Sequence, residues 1–179
     1  QLKSTLNIGG YGNQGGVSGN YLFMGVEKSS AGFVVVDVTS KTAPTLQTTL
    51  NVGDSVHAVV VSGNYAYIGT NDDDTGFQVV SIQTPLSPTV VGSLDVEEEV
   101  DAIALQGIFA FIGTEEDDEG GFQVVNITTP SQPTFVTELD VGGEVQDVAI
   151  AGDYAYAAVD TQNGGLAAID ELDKMTSED

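Results

Sequence analysis

The sequence predicts an all-β chain: a β-propeller of four four-stranded antiparallel blades with a period of 44–45 residues. Three observations carry this reading. Tyr21-Leu22-Phe23-Met24-Gly25, Tyr65-Ala66-Tyr67-Ile68-Gly69, Phe109-Ala110-Phe111-Ile112-Gly113 and Tyr154-Ala155-Tyr156-Ala157-Ala158 begin 44, 44 and 45 residues apart. The offset recurs at Gly32-Phe33, Gly76-Phe77, Gly121-Phe122 and Gly165-Leu166, and again at Pro44, Pro88 and Pro133. No stretch carries a capped 3.6-residue apolar period, so essentially no helix is expected. A mid-forties period made of short strands and turns is the signature of a propeller blade or a related β-array.

The elements follow in order. Residues 1–10 read as a closing strand, 11–52 as the first blade, 53–96 as the second, 97–141 as the third and 142–179 as a fourth that lacks its own last strand. The first blade opens on Tyr11-Gly12-Asn13-Gln14-Gly15-Gly16-Val17, which is poor in apolar residues for a strand. The second blade is the clearest. Val56 to Val61 is a β-branched run, Ser62-Gly63-Asn64 a tight turn, and Tyr65 to Thr70 an alternating aromatic strand. An acidic loop, Asn71 to Gly76, leads into Phe77 to Ile82. Thr84-Pro85-Leu86-Ser87-Pro88 then turns the chain into Thr89 to Leu94. In the last blade Val145 to Ile150, Tyr154 to Val159 and Leu166 to Ile169 are the three strands. The tail from Asp170 to Asp179 reads as a turn of helix or as disordered.

The phase of the repeat is informative. Leu2-Lys3-Ser4-Thr5-Leu6-Asn7-Ile8 aligns with Leu46 to Val52, which is the fourth strand of its blade, yet no other strand of that blade precedes it. An unpaired edge is an aggregation hazard. The N-terminal strand, with Leu2, Leu6 and Ile8 facing one way, is therefore expected to complete the last blade, in the same chain or in a neighbouring copy. The chain also starts at Gln1, which suggests a processed form or a segment of something longer. Four blades are few for a propeller, so a share of a ring of six to eight is a third expectation.

The order of an apolar strand, a Gly-Asn or Gly-Asp turn, an aromatic strand and Phe-x-Val-Val resembles the LVIVD-repeat family. Phe33-Val34-Val35-Val36-Asp37-Val38, Phe77-Gln78-Val79-Val80-Ser81-Ile82 and Phe122-Gln123-Val124-Val125-Asn126-Ile127 carry the resemblance, which departs at Leu166-Ala167-Ala168-Ile169. It implies a β-propeller, common in secreted or surface-attached prokaryotic proteins, and brings no shared catalytic residues. Extracellular or cell-surface localisation is accordingly the expectation.

Charge excludes several functions. The chain carries 27 acidic residues against four lysines and no arginine, a net charge of −23. Nothing here can neutralise a phosphate backbone, so no nucleic acid is expected as a partner. Anionic membrane surfaces would repel the chain, and no apolar run approaches the roughly 20 residues of a membrane-spanning helix. Cations are attracted instead. The absence of cysteine removes disulfides, thiolate chemistry and cysteine-ligated zinc.

Most of the acids fall in two kinds of connection that share one face of a propeller: the loops between second and third strands, and the links between blades. Such oxygen-rich loops suit calcium. Asp72, Asp73 and Asp74 in one loop and Glu115, Asp117 and Glu119 in the next are the candidate ligands. The second loop lacks the later bidentate glutamate of an EF-hand, where Asn126 stands. A solvated face serving solubility is the alternative, and no cofactor is required. His57, the only histidine, sits near Asp54 and Ser55, but strand alternation is expected to keep the three from converging. It reads as a propeller-lining or structural histidine. Catalysis is not expected, since no nucleophile, base and oxyanion element come together and no tryptophan is present to stack a sugar. Asn126-Ile127-Thr128 is an N-glycosylation sequon. The expected partners are further copies of the chain, in a fibre or other homo-oligomer, or an extracellular protein or glycan. A closed monomer binding a cation, glycan or protein through the acidic face is the alternative.

Overall fold

The computed structural model of the chain describes residues 1–29, 31–72, 74–115, 121–161 and 164–170. They form fifteen strands in four consecutive antiparallel sheets, with no helix among the described residues. The first sheet is β1 (Tyr11–Ser18), β2 (Tyr21–Glu27), β3 (Phe33–Asp37) and β4 (Thr45–Leu50). The second is β5 (Val56–Ser62), β6 (Tyr65–Thr70), β7 (Phe77–Ser81) and β8 (Thr89–Leu94). The third is β9 (Val100–Gln106), β10 (Phe109–Thr114), β11 (Gly121–Asn126) and β12 (Thr134–Asp140). The fourth holds β13 (Glu144–Ala151), β14 (Tyr154–Asp160) and β15 (Gly165–Ile169). Strands in each sheet lie side by side in chain order, and the expectation of four strands per blade holds for three sheets.

The N-terminal segment departs from the same-chain form of the expectation. Residues 1–8 form no strand and do not pair with β15, so they do not complete the fourth sheet, which holds three strands among the described residues. The physical reason is visible in the packing. Leu6 and Ile8 lie instead against Val26, Val34 and Val36 of the first sheet, beside Leu22, Met24 and Val38. This is the place that Leu50 and Val52 hold against Val80 and Ile82 of the second sheet. The segment thus occupies the seat of a fourth strand belonging to a preceding blade, without that blade. The expected first strand at Tyr11–Val17 does form, despite its composition, because β2 supplies a regular edge for it.

Sheets pack face to face. Phe23, Phe33 and Val35 meet Val56, Val59, Ala66 and Ile68. One unit on, Tyr67, Phe77 and Val79 meet Val100, Ile103, Ala110 and Ile112. Next, Phe111, Phe122 and Val124 meet Val145, Val148, Ala155 and Ala157. Phe33, Phe77 and Phe122 are each fully buried, and burying such a ring stabilises the fold by roughly 1.5–3 kcal/mol. Each ring stacks on an aromatic of the neighbouring strand, as Tyr67 and Phe77 do at 6.3 Å and 27°. Buried Gln78 and Gln123 then clamp each sheet to the preceding link, donating to the carbonyls of Val52 at 2.7 Å and Val96 at 3.2 Å.

Close approach sets the geometry of these interfaces. A Cβ on Gly69 would collide with the carbonyl oxygen and side chain of Val100, and one on Gly113 with those of Val145. Gly25 bears the same relation to Val56. We expect Gly69→Ala to destabilise the protein by ~1–3 kcal/mol, the cost of overpacking a tight core. The denaturant midpoint should fall with an unchanged slope, and an unaltered midpoint would show the sheets free to separate.

The links between sheets reuse one turn. The amides of Gly9, Gly53, Glu97 and Gly142 donate to the side-chain oxygens of Asn7, Asn51, Asp95 and Asp140, two residues earlier. The donor residue takes positive φ in every case: 88°, 104°, 65° and 86°. Glu97 is the exception in kind, the one non-glycine with positive φ among the described residues. An L side chain there is strained. Glu97→Gly should therefore raise stability by about 1 kcal/mol, or roughly 2–4 °C in thermal midpoint for a domain of this size. A lower midpoint would mean that the glutamate side chain holds the turn.

Candidate functional site

The inner strands converge on one opening. Asn13, His57, Asp101 and Gln146 occupy the same place in β1, β5, β9 and β13, and with Glu27 they line a cleft of about 230 Å³. Each falls within a break in strand pairing. Val56 faces Thr70 and Ala58 faces Gly69, which leaves His57 between them; Asp101 and Gln146 are left over in the same way. In β1 the break spans Asn13 and Gln14. A β-bulge re-aims the extra residue and interrupts alternation. Four bulges in register thus turn four polar side chains toward the opening.

These side chains tie neighbouring sheets together. His57 Nδ1 lies 2.7 Å from Asp101 Oδ1, with the side chains 25% and 14% exposed. Asn13 Nδ2 donates to the Val56 carbonyl, and Gln14 Oε1 accepts from the Val59 amide, each at 3.0 Å. Donating a hydrogen bond to Asp101 raises the pKa of His57 above its ordinary value. Burial opposes this, while the charges of Asp101, Glu99 and Glu115 add to it. The opening is therefore acidic, with one imidazole poised to carry positive charge.

Sequence reasoning placed His57 toward a propeller interior but missed its partner. The signal was available in the repeat, because Asp101 stands one period after His57. Strand alternation does not separate Ser55 from His57, which stand two residues apart and so share a face. Both line an adjoining cleft of about 510 Å³ with Glu27, Lys28, Ser29 and Asn71. Asp54 does not join them, since its carboxylate accepts from the Ser55 amide at 2.6 Å. No hydrogen bond joins Ser55 to His57 among the described residues.

Of the expected calcium ligands, Asp72, Asp74 and Glu115 are among the described residues. Asp73, Asp117 and Glu119 fall outside the described residues. Asp72 Oδ1 accepts from the amides of Asp74 and Thr75, at 2.9 and 3.1 Å, and so shapes its own loop. Glu115 begins the other loop, its amide bonded to the Glu99 carbonyl. Among the described residues no three acidic or histidine side chains are grouped as a metal ion would require. The Asn126 side-chain oxygen accepts from the Thr128 amide at 2.9 Å, so the sequon forms a local turn at the rim of a cleft.

The fourth sheet presents a second candidate surface. Leu166 is 71% exposed, whereas Phe33, Phe77 and Phe122 at the same place are 0% exposed. Tyr154 is 40% exposed and stacks on Tyr156 rather than on a ring of the next strand. Gly32, Gly76 and Gly121 each make room for the backbone of the following link, at Asp54, Glu98 and Gly143. Gly165 keeps the glycine of that series, yet a Cβ there would meet only Val159 and Thr161 of its own sheet, at 3.4 Å or more. Leu2 is exposed, and Leu6 and Ile8 are half-buried on the first sheet.

The His57–Asp101 pair has a definite pH signature. A histidine whose pKa is raised by folding adds stability that is fully present below 6.5 and is lost as pH climbs through the raised folded value. Asp101→Asn should lower the thermal midpoint at pH 6, and the deficit should shrink steadily between pH 6.5 and pH 9. A deficit independent of pH would mean that the pair contributes no charge interaction.

Comparison with known proteins places this geometry. The LVIVD repeat profile matches residues 9–52, 53–96, 99–141 and 142–170. No match to the chain is found among the curated proteins. Among solved structures, the chain is similar to the computationally designed Ika4 protein, at a TM-score of 0.71 and 17% identity, covering 95% of this chain and 98% of that one. It is also similar to Kuenenia stuttgartiensis hydrazine synthase, at 0.70 and 18%, covering 85% of this chain and 43% of that one. A putative 6-phosphogluconolactonase from Bacteroides uniformis matches at 0.72 and 14%, covering 87% and 52%. The chain spans about half the length of these two natural proteins. At such identities the likeness speaks for the fold alone, which is all-β and propeller-like.

Proposed function

The chain belongs to the LVIVD repeat family, and from that premise we propose that it is a non-catalytic extracellular interaction module that assembles with further copies of itself. One observation carries this reading: the two sides of a blade interface are both present and both unmatched. Among the described residues, the fourth sheet has the open edge of β15 and an uncovered face at Tyr154 and Leu166. The first sheet carries residues 1–8 in the seat of a preceding blade's fourth strand. Brought together between copies, the segment would add to β15 as a strand, supplying main-chain pairing, while the face of the first sheet covers Tyr154 and Leu166. An interface of this kind is heterologous, so it repeats head to tail into a fibre or closes into a ring.

The hydrogen bond from His57 Nδ1 to Asp101 ties two neighbouring sheets together, which supports a structural part for this histidine. The charge of −23 sets a condition on assembly. Copies repel one another at low ionic strength, and salt that shortens the screening length to a few ångströms relieves the repulsion. Sedimentation of the intact chain at rising concentration and salt tests the proposal. We expect mass to grow beyond one chain, more so at 1 M salt, and Leu166→Glu to return it to the monomer with an unchanged far-ultraviolet spectrum. A free peptide of residues 1–8 should compete. A single-chain mass at every concentration and salt, or assembly indifferent to Leu166→Glu, would sink it; the first outcome favours a ring closed within the chain.

A further inference from the structure

A third surface is built at the interface of two sheets. Between the second and third sheets, Asp95, Val96, Glu97, Gln123, Phe135 and Glu138 line a cleft of about 370 Å³. Its floor is Gln123, 5% exposed, whose amide nitrogen is taken by the Val96 carbonyl and whose carboxamide oxygen meets no donor. A buried acceptor left without a partner costs roughly 1–3 kcal/mol, so each such atom in a native core asks for an explanation. Its rim is three carboxylates and one aromatic ring, Phe135, 48% exposed.

The arrangement is specific to this unit. Glu138 pairs directly with Gln123, and Phe135 pairs with Val125 two residues further along β11. Phe135 and Glu138 are three apart, and a register shift between the two pairs brings them to the same face. At the matching places in the second sheet stand Ser93, opposite Gln78, and Val90, opposite Val80. The matching link residue is Gly53. Three changes at this interface, from glycine, valine and serine, therefore add two carboxylates and a ring above the same buried glutamine, beside Asp95 in the place of Asn51. One of the three, Glu97, does so at the expense of backbone strain.

We infer that this cleft binds a lysine side chain presented by a partner protein. An unsatisfied carboxamide oxygen is an acceptor, and a primary ammonium offers three N–H donors. Asp95, Glu97 and Glu138 provide the countercharge, and the ring of Phe135 lies against the alkyl stem and attracts the ammonium through its π face. The absence of a three-ligand metal grouping among the described residues agrees with an organic cation here. The inference does not rest on self-assembly, since the cleft shares no residue with β15 or residues 1–8.

The probe is Nα-acetyl-lysine N-methylamide, titrated into the intact chain at 0.5 M salt to screen diffuse attraction, with the norleucine analogue as control. The readouts are the side-chain amide resonances of Gln123 and the heat of binding. The triple variant Glu97→Gly, Phe135→Val, Glu138→Ser carries the second sheet's residues at these places and is expected to fold. We expect saturable binding of the lysine probe in the intact chain, absent for the norleucine analogue and about tenfold or more weaker in the variant. Equal binding of both probes, equal affinity in the folded variant, or no saturation in the intact chain would each overturn the inference.

Discussion

The structure rests on the backbone-to-backbone approach of successive sheets. Gly25, Gly69 and Gly113 on the second strands, and Gly32, Gly76 and Gly121 at the entries to the third, let the next sheet's carbonyls come closer than any side chain would allow. That approach lets Phe33, Phe77 and Phe122 be wholly enclosed, and it sets the distance at which Gln78 and Gln123 reach the preceding link. Apolar area drives the association, but the glycines decide its spacing. The fourth unit shows the dependence from the other side. Ala158 stands where three glycines stood and Leu166 where three phenylalanines stood, and this is the sheet whose face lies open.

Much of the fold was legible in the sequence because a repeat is self-calibrating. Tyr65-Ala66-Tyr67-Ile68-Gly69 could be read as a strand partly because Phe109-Ala110-Phe111-Ile112-Gly113 said the same thing one period later. The strands from β2 to β15 follow that reading to within a residue or two, and the family profile spans all four units. The N-terminal segment was legible as a fourth-strand sequence but not as to place. Apolar residues at Leu6 and Ile8 specify a face to cover, and the nearest uncovered face was that of the first sheet, not the edge of β15.

The candidate site was legible only in part, and for a physical reason. Alternation assigns side chains to faces only while the strand is regular, and the bulges sit at the residues that matter: His57, Asp101 and Gln146. A bulge has no marked composition, so Val56-His57-Ala58 reads as an ordinary strand. The better signal was columnar: comparing equivalent places down the repeat exposes Asn13, His57, Asp101 and Gln146 as one polar ring of positions, and Glu97 as a glutamate in a glycine's place. Acidic loops, by contrast, were plain in the composition, yet a run of aspartates says little about where each carboxylate points. Asp72 turns out to cap its own loop.

The fourth sheet's position as an end unit has a thermodynamic consequence. In an array where each unit leans on its neighbours, the cooperativity of unfolding is transmitted through the interfaces, and a unit with one interface is held by roughly half the coupling of an interior one. Among the described residues, the sheet of β13, β14 and β15 shares an apolar core with the third sheet alone. Its amides should therefore open by local excursions at lower free energy than those of β6 or β10, and exchange with solvent deuterium sooner. Whatever covers Tyr154 and Leu166 would then act as a missing nearest neighbour, lending the end of the array the stiffness its middle already has.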